Sequence, residues 1–118
     1  MKVVKKNQLA TGERFKEKYP IKLLLSTKEI DTKDCQVSIV VLEPNQRLPV
    51  SGHTQHDTEE ICYVISGRII FETDTSSEVA EEGDLVVIPG NKPYFNVNTS
   101  NEQAKVLRFH TPVKVKED

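Results

Sequence analysis

The stretch Gly52–Gly67, GHTQHDTEEICYVISG, decides how this chain folds. Its second half contains ICYVI, a short β-branched and aromatic run that predicts a strand. Its first half places His53, Gln55 and His56 a few residues ahead of Glu60. Imidazole nitrogen and carboxylate oxygen, brought together on neighbouring strands, are ligands of a divalent first-row metal. The stretch therefore predicts a strand with a candidate metal site in front of it.

Further runs of the same kind cover most of the chain. They are short and closely spaced, and Gly, Pro, Asn, Asp and Ser separate them. We expect antiparallel strands without a long helix, which is an all-β fold of the sandwich or jelly-roll class. The predicted strands are IKLLL (21–25), QVSIVVLE (36–43), ICYVI (61–65), RIIFE (68–72), LVVIP (85–89), YFNVN (94–98) and KVLRFH (105–110).

Two glycine-containing turns divide the central strands. Ser66-Gly67 lies between ICYVI and RIIFE and predicts a two-residue hairpin turn, because glycine supplies the positive φ that such turns need. Gly83-Asp84 predicts another tight turn. Only 15 residues lie between Gly67 and Gly83, which is room for one hairpin.

The length and the ends of the chain predict one domain. A chain of 118 residues buries roughly two-thirds of its unfolded surface, enough for a core without disulfides. We expect an N-terminal arm over 1–20, a core over 21–112 and a frayed tail over 113–118. Residues 7–19 predict one short helix that ends before Pro20.

Composition excludes several classes of protein. No apolar run approaches the roughly 18 residues of a membrane helix, and no signal peptide begins the chain. Cys35 and Cys62 have no metal-finger spacing, so we interpret them as buried free thiols of a cytoplasmic protein.

The charges are segregated along the chain. Residues 1–30 carry eight Lys or Arg against three Asp or Glu, whereas residues 57–84 carry nine acidic residues against Arg68 alone. These are either two solvated faces or a basic arm packed against an acidic strand edge. The basic residues lack interleaved aromatics, so nucleic acid is not an expected partner.

The Gly52–Gly67 block resembles the first motif of the cupin superfamily. Six residues separate Glu60 from Gly67, as that motif requires. Its two histidine positions depend on the length of the spacer before Glu60. They fall on His53 and Gln55 with a four-residue spacer, or on Thr54 and His56 with a three-residue spacer.

Strand alternation allows only one of these pairs to face the interior unless a bulge intervenes. The longer spacer matches the common form of the motif, so we expect His53 and Gln55 to face inward with Glu60. The pair Thr54 and His56 is the alternative.

A second block, GDLVVIPGNKPYFNVN, resembles the second cupin motif. Gly83, Pro89 and Asn98 occupy motif positions, the second glycine is shifted to Gly90, and Tyr94 stands at the histidine position. The resemblance spans about residues 37–112. It implies a single-domain cupin-like jelly-roll β-barrel, also called a double-stranded β-helix.

Tyr94 decides what kind of site remains. A phenol with an ordinary pKa near 10 is a poor metal ligand. We expect a neutral Tyr94 that hydrogen-bonds a substrate or a metal-bound water, or acts as a catalytic general acid. The alternative is a packed aromatic whose hydroxyl reaches a backbone carbonyl.

The last predicted strand has two possible orientations. Alternation puts Arg108 and His110 on one face and Leu107 and Phe109 on the other. If the apolar pair fills the core, the polar pair is on the surface, and this is the orientation we expect. The opposite orientation would give the cavity a cationic wall for an anionic substrate.

Resemblance to cupins implies a function in outline. It implies a metal-binding enzyme that acts on a small oxygen-rich or anionic metabolite. The metal would be Mn, Fe, Ni or Zn, held by Glu60 and by His53, Gln55 or His56. Dioxygenase, isomerase and lyase chemistry all occur on this fold, so the reaction stays open. The alternative is a non-catalytic cupin that binds a small molecule for sensing or regulation. Cupin resemblance also implies a homodimer, and neither nucleic acid nor a membrane is an expected partner.

Overall fold

The computed structural model describes residues 36–110 without a break, together with residues 10–11, 22–25 and the single positions 1, 3 and 5. Every regular element in this part of the chain is a β-strand, and all seven predicted strands are confirmed. No helix in the same residues is long and apolar enough to cross a membrane. The strands are β1 Ala10–Thr11, β2 Lys22–Leu25, β3 Gln36–Leu42, β4 Arg47–Leu48, β5 Glu60–Ser66, β6 Arg68–Thr73, β7 Ser77–Glu81, β8 Leu85–Ile88, β9 Tyr94–Val97 and β10 Ala104–His110.

The strands form two antiparallel sheets. The larger sheet has the order β1-β2-β3-β10-β5-β8, and the smaller one has the order β4-β9-β6-β7. An isolated bridge between Thr54 and Tyr94 ties the segment before β5 to the smaller sheet. The predicted all-β fold is confirmed, although the strand ladders of the described residues do not close the two sheets into one barrel.

The predicted hairpin at Ser66-Gly67 is wrong. Strand β5 pairs with β10 and β8, whereas β6 pairs with β7 and β9, so this turn carries the chain from one sheet to the other. Gly67 has φ +82°, and a Cβ there would lie 2.6 Å from the Gln103 carbonyl oxygen. Only glycine therefore fits this corner, and the positive φ that suggested a hairpin serves a change of sheet.

Gly83-Asp84 is a second corner between sheets. It joins β7 of the smaller sheet to β8 of the larger one. The Gly83 N–H donates to the Val64 carbonyl at 2.9 Å, and the Val64 N–H donates to the Asp84 carbonyl at 3.0 Å. The one hairpin between the two corners is β6–β7, as the 15-residue link predicted. Its loop is held by Thr73 Oγ1, which accepts from the Ser76 N–H at 3.0 Å.

The sequence pattern missed three short strands and predicted a helix across one of them. Strand β7, SEVAE, has a single buried residue, so it lacks the apolar alternation that predicts a strand. Strands β1 and β4 have two residues each. The predicted helix over 7–19 does not run through Ala10–Thr11, which form β1. The rest of that segment, most of the basic arm, Cys35 and the tail 113–118 lie outside the described residues.

A hydrocarbon core fills part of the space between the sheets. On the larger sheet, Val106 lies opposite Val40 and Val64, and all three are buried. We call the buried group Val40, Leu42, Val64, Ile69 and Val106 the apolar layer. Fully burying a side chain of this size contributes roughly 1.5–3 kcal/mol, so this layer supplies much of the stability of the fold.

Candidate functional site

A polar layer lies directly beside the apolar layer. Two residues beyond Val106, the inward-facing Arg108 lies opposite Ser38 on β3 and Cys62 on β5. Successive inward residues of a strand are two positions apart, so a single step along β10 changes the interior from hydrocarbon to polar. We call His56, Glu60, Cys62, Tyr94 and Arg108 the polar layer.

Glu60 is the centre of the polar layer. It begins β5, faces inward and is only 1% exposed. Arg108 Nε donates to Oε2 at 3.0 Å, and Arg108 Nη2 donates to Oε1 at 2.9 Å. The Tyr94 hydroxyl lies 2.7 Å from Oε1 and 2.6 Å from Oε2. Both carboxylate oxygens are therefore engaged by strong, charge-assisted donors.

Tyr94 begins β9 on the opposite sheet, and its ring crosses the interior. Burial raises the pKa of the Tyr94 phenol well above its ordinary value; Arg108 opposes this shift, and the charge of Glu60 adds to it by a smaller amount. The phenol thus stays protonated and donates a hydrogen bond to the Glu60 carboxylate. Its oxygen accepts a hydrogen bond from Arg108 Nη2 at 3.1 Å. The prediction of a neutral Tyr94 agrees with this geometry, and its partner is a carboxylate rather than a backbone carbonyl.

Arg108 is buried and remains charged. Burial opposes its charge, but the Glu60 carboxylate and the hydrogen bonds outweigh that cost and raise the pKa of the Arg108 guanidinium well above its ordinary value. The expected surface position of Arg108 is therefore wrong. Alternation alone could not choose between the two faces, because the opposite face of β10 carries only half-buried Leu107 and Phe109. The side chain of His110 lies outside what the structure describes.

Cys62 and His56 complete the polar layer. Cys62 Sγ lies 3.5 Å from Glu60 Oε2, and burial together with the Glu60 charge raises the pKa of this thiol well above its usual range. The expectation that Cys62 is a buried free thiol is confirmed. His56 Nε2 lies 3.5 Å from Glu60 Oε1. Burial lowers the pKa of His56, and Glu60 offsets this only in part. At neutral pH this contact therefore joins a neutral imidazole to a carboxylate.

The segment before β5 has the register that we did not favour. Thr54 is buried and pairs with Tyr94 through two backbone hydrogen bonds of 2.8 and 2.9 Å. His53 and Gln55 are exposed, so the expectation that they face inward with Glu60 is wrong. His53 packs edge-on against Phe95 with ring centroids 5.7 Å apart.

Loop packing explains why this register holds. Gln55 Nε2 donates to the Asn91 carbonyl at 3.4 Å, and the Asn91 N–H donates to the His56 carbonyl at 2.6 Å. A Cβ on Gly90 would lie 2.9 Å from the Asp57 carbonyl oxygen, so the glycine lets the two loops touch. The side chain of Gln55 thus helps to hold the segment before β5 against the loop that contains Asn91.

The predicted metal ligands do not form a metal site in this arrangement. Only His56 and Glu60 of the four lie close together, and no cluster of three or more His, Cys, Asp or Glu side chains that could hold an ion occurs among the described residues. The Glu60 carboxylate is also already paired with a guanidinium, whose positive charge would repel a second cation. The donor set therefore does not fit a divalent metal.

Asn96 is a buried, inward-facing polar residue that the sequence reasoning missed. It alternates with Tyr94 along β9, faces inward and is 3% exposed. Its Oδ1 is buried and has no hydrogen-bond partner within the described part of the chain. Alternation in YFNVN could have revealed it, since Asn96 stands on the same face as Tyr94.

Asn98, the next inward residue, is a contrasting case. Its Nδ2 donates to the carbonyls of Leu42 at 3.0 Å and Glu102 at 2.7 Å. Its Oδ1 accepts from the N–H and hydroxyl of Ser100. Asn98 is therefore structural, as a motif position in a turn suggests.

Comparison with known protein families identifies the family of this chain. A family model for the cupin domain matches residues 38–110, which is more than half of the chain. The chain belongs to the cupin family. A search of curated proteins finds no relative of this cupin.

Solved structures share the fold of this cupin at low sequence identity. The polyketide cyclase RemF from Streptomyces resistomycificus has a TM-score of 0.74 and 17% identity, over 100% of this chain and 89% of that one. A putative ethanolamine utilization protein from Salmonella typhimurium has a TM-score of 0.73 and 18% identity, over 97% and 88% of the two chains. A sugar phosphate isomerase from Silicibacter pomeroyi has a TM-score of 0.68 and 20% identity, over 85% and 65%. Such similarity shows a common fold.

Proposed function

We propose that this cupin binds a small oxygen-rich metabolite between its sheets, with Arg108 as the anchor and without a metal at Glu60. The proposal rests on which nitrogens of the Arg108 guanidinium make hydrogen bonds. Its Nε and Nη2 hold Glu60, whereas its Nη1 makes no hydrogen bond to any described residue. The side chain keeps 10% of its surface accessible. One nitrogen of a rigid, permanently charged fork is thus available to a ligand oxygen.

Asn96 supplies a complementary group on the opposite sheet. A buried carbonyl oxygen without a partner costs about 1–3 kcal/mol, so its retention needs a reason. A ligand hydroxyl that donates to Oδ1 would satisfy it. Arg108 Nη1 and Asn96 Oδ1 together favour a ligand with both an acceptor oxygen and a hydroxyl donor, such as a hydroxy acid or a sugar.

The net charge of the polar layer restricts the charge that the ligand can carry. The positive charge of Arg108 is balanced by the carboxylate of Glu60, while Tyr94 and His56 are neutral. A multiply charged phosphate would have no excess positive charge to balance it in a buried site. The ligand is therefore a neutral or singly charged hydroxylated carbonyl compound.

Ligand binding is tested with thermal shifts in buffer that contains a metal chelator. The panel is a 2-hydroxy acid, a 2-keto acid, an aldohexose and a hexose phosphate. We expect a concentration-dependent rise in melting temperature with a neutral or singly charged member. A shift that requires an added divalent metal, or one that is largest for the hexose phosphate, would contradict the proposal.

Two asparagines provide a matched pair of variants. Asn96→Leu removes the unsatisfied oxygen, so we expect unchanged or slightly higher stability and loss of the ligand shift. Asn98→Leu removes four hydrogen bonds that the fold uses, so we expect a loss of about 2–4 kcal/mol in the free energy of unfolding. If Asn96→Leu destabilises the protein as much as Asn98→Leu, Asn96 is structural and the ligand assignment fails.

A second candidate function, metal-independent proton transfer, is favoured by His56. The neutral imidazole lies at the edge of the polar layer with 29% of its side chain exposed, 3.5 Å from a carboxylate that can orient it. A positioned neutral histidine is a competent general base. The catalytic role of Tyr94 stays a prediction, and its raised pKa makes it a weaker acid than an ordinary phenol. Exchange of the α-hydrogen of a bound keto acid, lost in His56→Gln but not in His53→Gln, would support this function.

A further inference from the structure

Two buried hydroxyl groups lie beside the polar layer and take no part in its hydrogen bonds. Ser38 on β3 is 4% exposed, and Thr54 in the segment before β5 is 7% exposed. Neither hydroxyl makes a hydrogen bond to any described residue. Buried polar side chains have a hydrogen-bond partner in the large majority of cases, so two without one in the same interior indicate an occupant. We call Ser38 and Thr54 the hydroxyl pair.

Strand pairing places Ser38 beside the free end of Arg108. The two residues lie directly opposite each other on β3 and β10, and opposite residues share a face of the sheet. Glu60 lies on β5, on the other side of β10 from β3. Because Arg108 holds Glu60 through Nε and Nη2, the planar guanidinium turns Nη1 away from that carboxylate. A ligand oxygen that accepts from Nη1 can therefore also bond to the Ser38 hydroxyl.

Thr54 presents the second hydroxyl from the opposite sheet. It pairs with Tyr94 through the backbone, so its side chain shares the inward face of Tyr94. Asn96, two positions after Tyr94, faces inward on the same sheet. Polar atoms without a described partner thus occur on both sheets. Facing sheets pack about 10 Å apart, so a ligand that reaches both is a chain or ring of several carbons.

The bonding capacity of these groups favours hydroxyls in the ligand. Arg108 Nη1 only donates and Asn96 Oδ1 only accepts, whereas the hydroxyl pair can do either. A ligand hydroxyl also donates and accepts, so it can satisfy any of these groups. A carboxylate only accepts and cannot satisfy Asn96 Oδ1. It would also add a negative charge to a layer in which the charges of Arg108 and Glu60 already cancel.

We propose that the hydroxyl pair makes this site specific for a neutral sugar over the corresponding sugar acid. The inference rests on the proposed function and narrows its ligand from the neutral or singly charged compounds to the neutral ones. Ser38 and Thr54 are then specificity-determining residues. A site built to hydrogen-bond ligand hydroxyls discriminates against a molecule that cannot make those bonds, because the buried polar groups of the site are left unpaired.

Isothermal titration of the full chain in buffer that contains a metal chelator tests the inference at pH 7. The ligands are aldoses of four, five and six carbons, each paired with the aldonate of the same configuration. We expect the wild-type protein to bind an aldose about tenfold or more tightly than its aldonate, which is about 1.4 kcal/mol. An aldonate that binds as tightly as its aldose would overturn the inference.

Matched variants test the hydroxyl pair itself. Ser38→Ala and Thr54→Val each remove a hydroxyl that has no described partner, so the melting temperature of the free protein should stay the same or rise. Each should raise the dissociation constant for the aldose by about 3- to 10-fold. Thr54→Ser keeps the hydroxyl and should keep the affinity. Thr99→Val, at an exposed threonine after β9, is the control and should change neither quantity.

Failure of this inference and failure of the proposed function give different results. If an aldose binds and Asn96→Leu abolishes binding, but Ser38→Ala and Thr54→Val leave the dissociation constant unchanged, the ligand site stands and the hydroxyl pair is not part of it. A fall of several degrees in the melting temperature of either free variant would show a structural hydroxyl and overturn the inference. If only the 2-hydroxy or 2-keto acids bind, the proposed function stands and the inference fails. If neither these acids nor the sugars bind, both fail.

Discussion

The polar layer and the apolar layer lie one inward-facing residue apart on β5 and β10, and different forces hold them. Around Val106 the interior is hydrocarbon, stabilised in proportion to the area removed from water. Around Arg108 it is an ion pair that must offset the cost of removing two charges from water. The apolar layer supplies most of the stability. In the polar layer, the ion pair and its hydrogen bonds offset the cost of removing the charges from water only while every partner is present.

Arg108 also explains how this cupin departs from the family's metal motifs. Tyr94 stands where the second motif has a histidine, and Arg108 faces the same carboxylate from β10. The guanidinium thus takes the place of a cation beside Glu60. The two changes support each other, because the phenol donates to the carboxylate and accepts from the guanidinium.

The largest expected effect comes from breaking the ion pair. Arg108→Met keeps the length of the side chain but leaves the Glu60 carboxylate buried without its counter-ion. We expect a loss of about 3–5 kcal/mol in the free energy of unfolding, measured with urea at pH 7. Glu60→Gln combined with Arg108→Met should recover at least half of that loss, because neither charge is then left unpaired. A single-variant loss below about 1 kcal/mol would mean that the pair is screened like a surface pair.

The apolar layer is expected to respond nearly as strongly but for a different reason. Leu42→Ala should cost about 2–5 kcal/mol through lost burial and the cavity that remains. Adding Glu60→Gln should deepen this loss, whereas it should offset part of the loss caused by Arg108→Met. Val50→Ala, at an exposed apolar position, is the control and should stay within about 0.5 kcal/mol of the wild type. The same response of both losses to Glu60→Gln would remove the distinction between the layers.

A smaller effect is expected from the phenol alone. Tyr94→Phe keeps the ring and removes one hydrogen bond to a charged group, so we expect a loss of about 1.5–3 kcal/mol. Tyr63→Phe, at an exposed position on β5, removes a hydroxyl without a buried partner and should have little effect in the same chemical denaturation. A neutral result for Tyr94→Phe would show that Arg108 alone holds Glu60.

The smallest expected effect is a pH dependence from His56. Its pKa in the folded protein lies below the ordinary 6.5, so the unfolded chain binds a proton first as the pH falls. Stability from this group is complete above about pH 6.5 and is lost as the pH drops through that value toward the lower, folded pKa. His56→Gln should flatten the slope of melting temperature against pH in that window, while His53→Gln should not. A slope of opposite sign would mean that His56 is charged in the fold.

Much of the fold could be predicted from the sequence, because it depends on local patterns. Seven strands follow from β-branched runs, and cupin membership follows from the spacing of Glu60, Gly67 and the second block. The change of sheet at Gly67 was not predicted, because a positive φ serves hairpins and corners alike. What distinguishes them is the close approach of Gln103, which is distant in sequence.

The site was predicted less well, because its geometry depends on contacts between distant segments. Pairing of Thr54 with Tyr94 sets which residues before β5 face inward, and no pattern within that segment records it. Arg108 was expected on the surface, because a lone arginine in a strand is usually solvated. Its burial makes sense only with a carboxylate opposite. Glu60 and Tyr94 were both recognised as candidate residues from their motif positions.

Metal titration of tag-free protein shows whether Arg108, rather than a metal ion, is the cation paired with Glu60. Isothermal titration with Mn²⁺, Fe²⁺, Ni²⁺ and Zn²⁺, followed by metal analysis after dialysis, measures whether an ion binds. We predict no stoichiometric binding that depends on Glu60 in the wild-type protein. One equivalent of metal that the wild-type protein retains and Glu60→Gln loses would contradict the account.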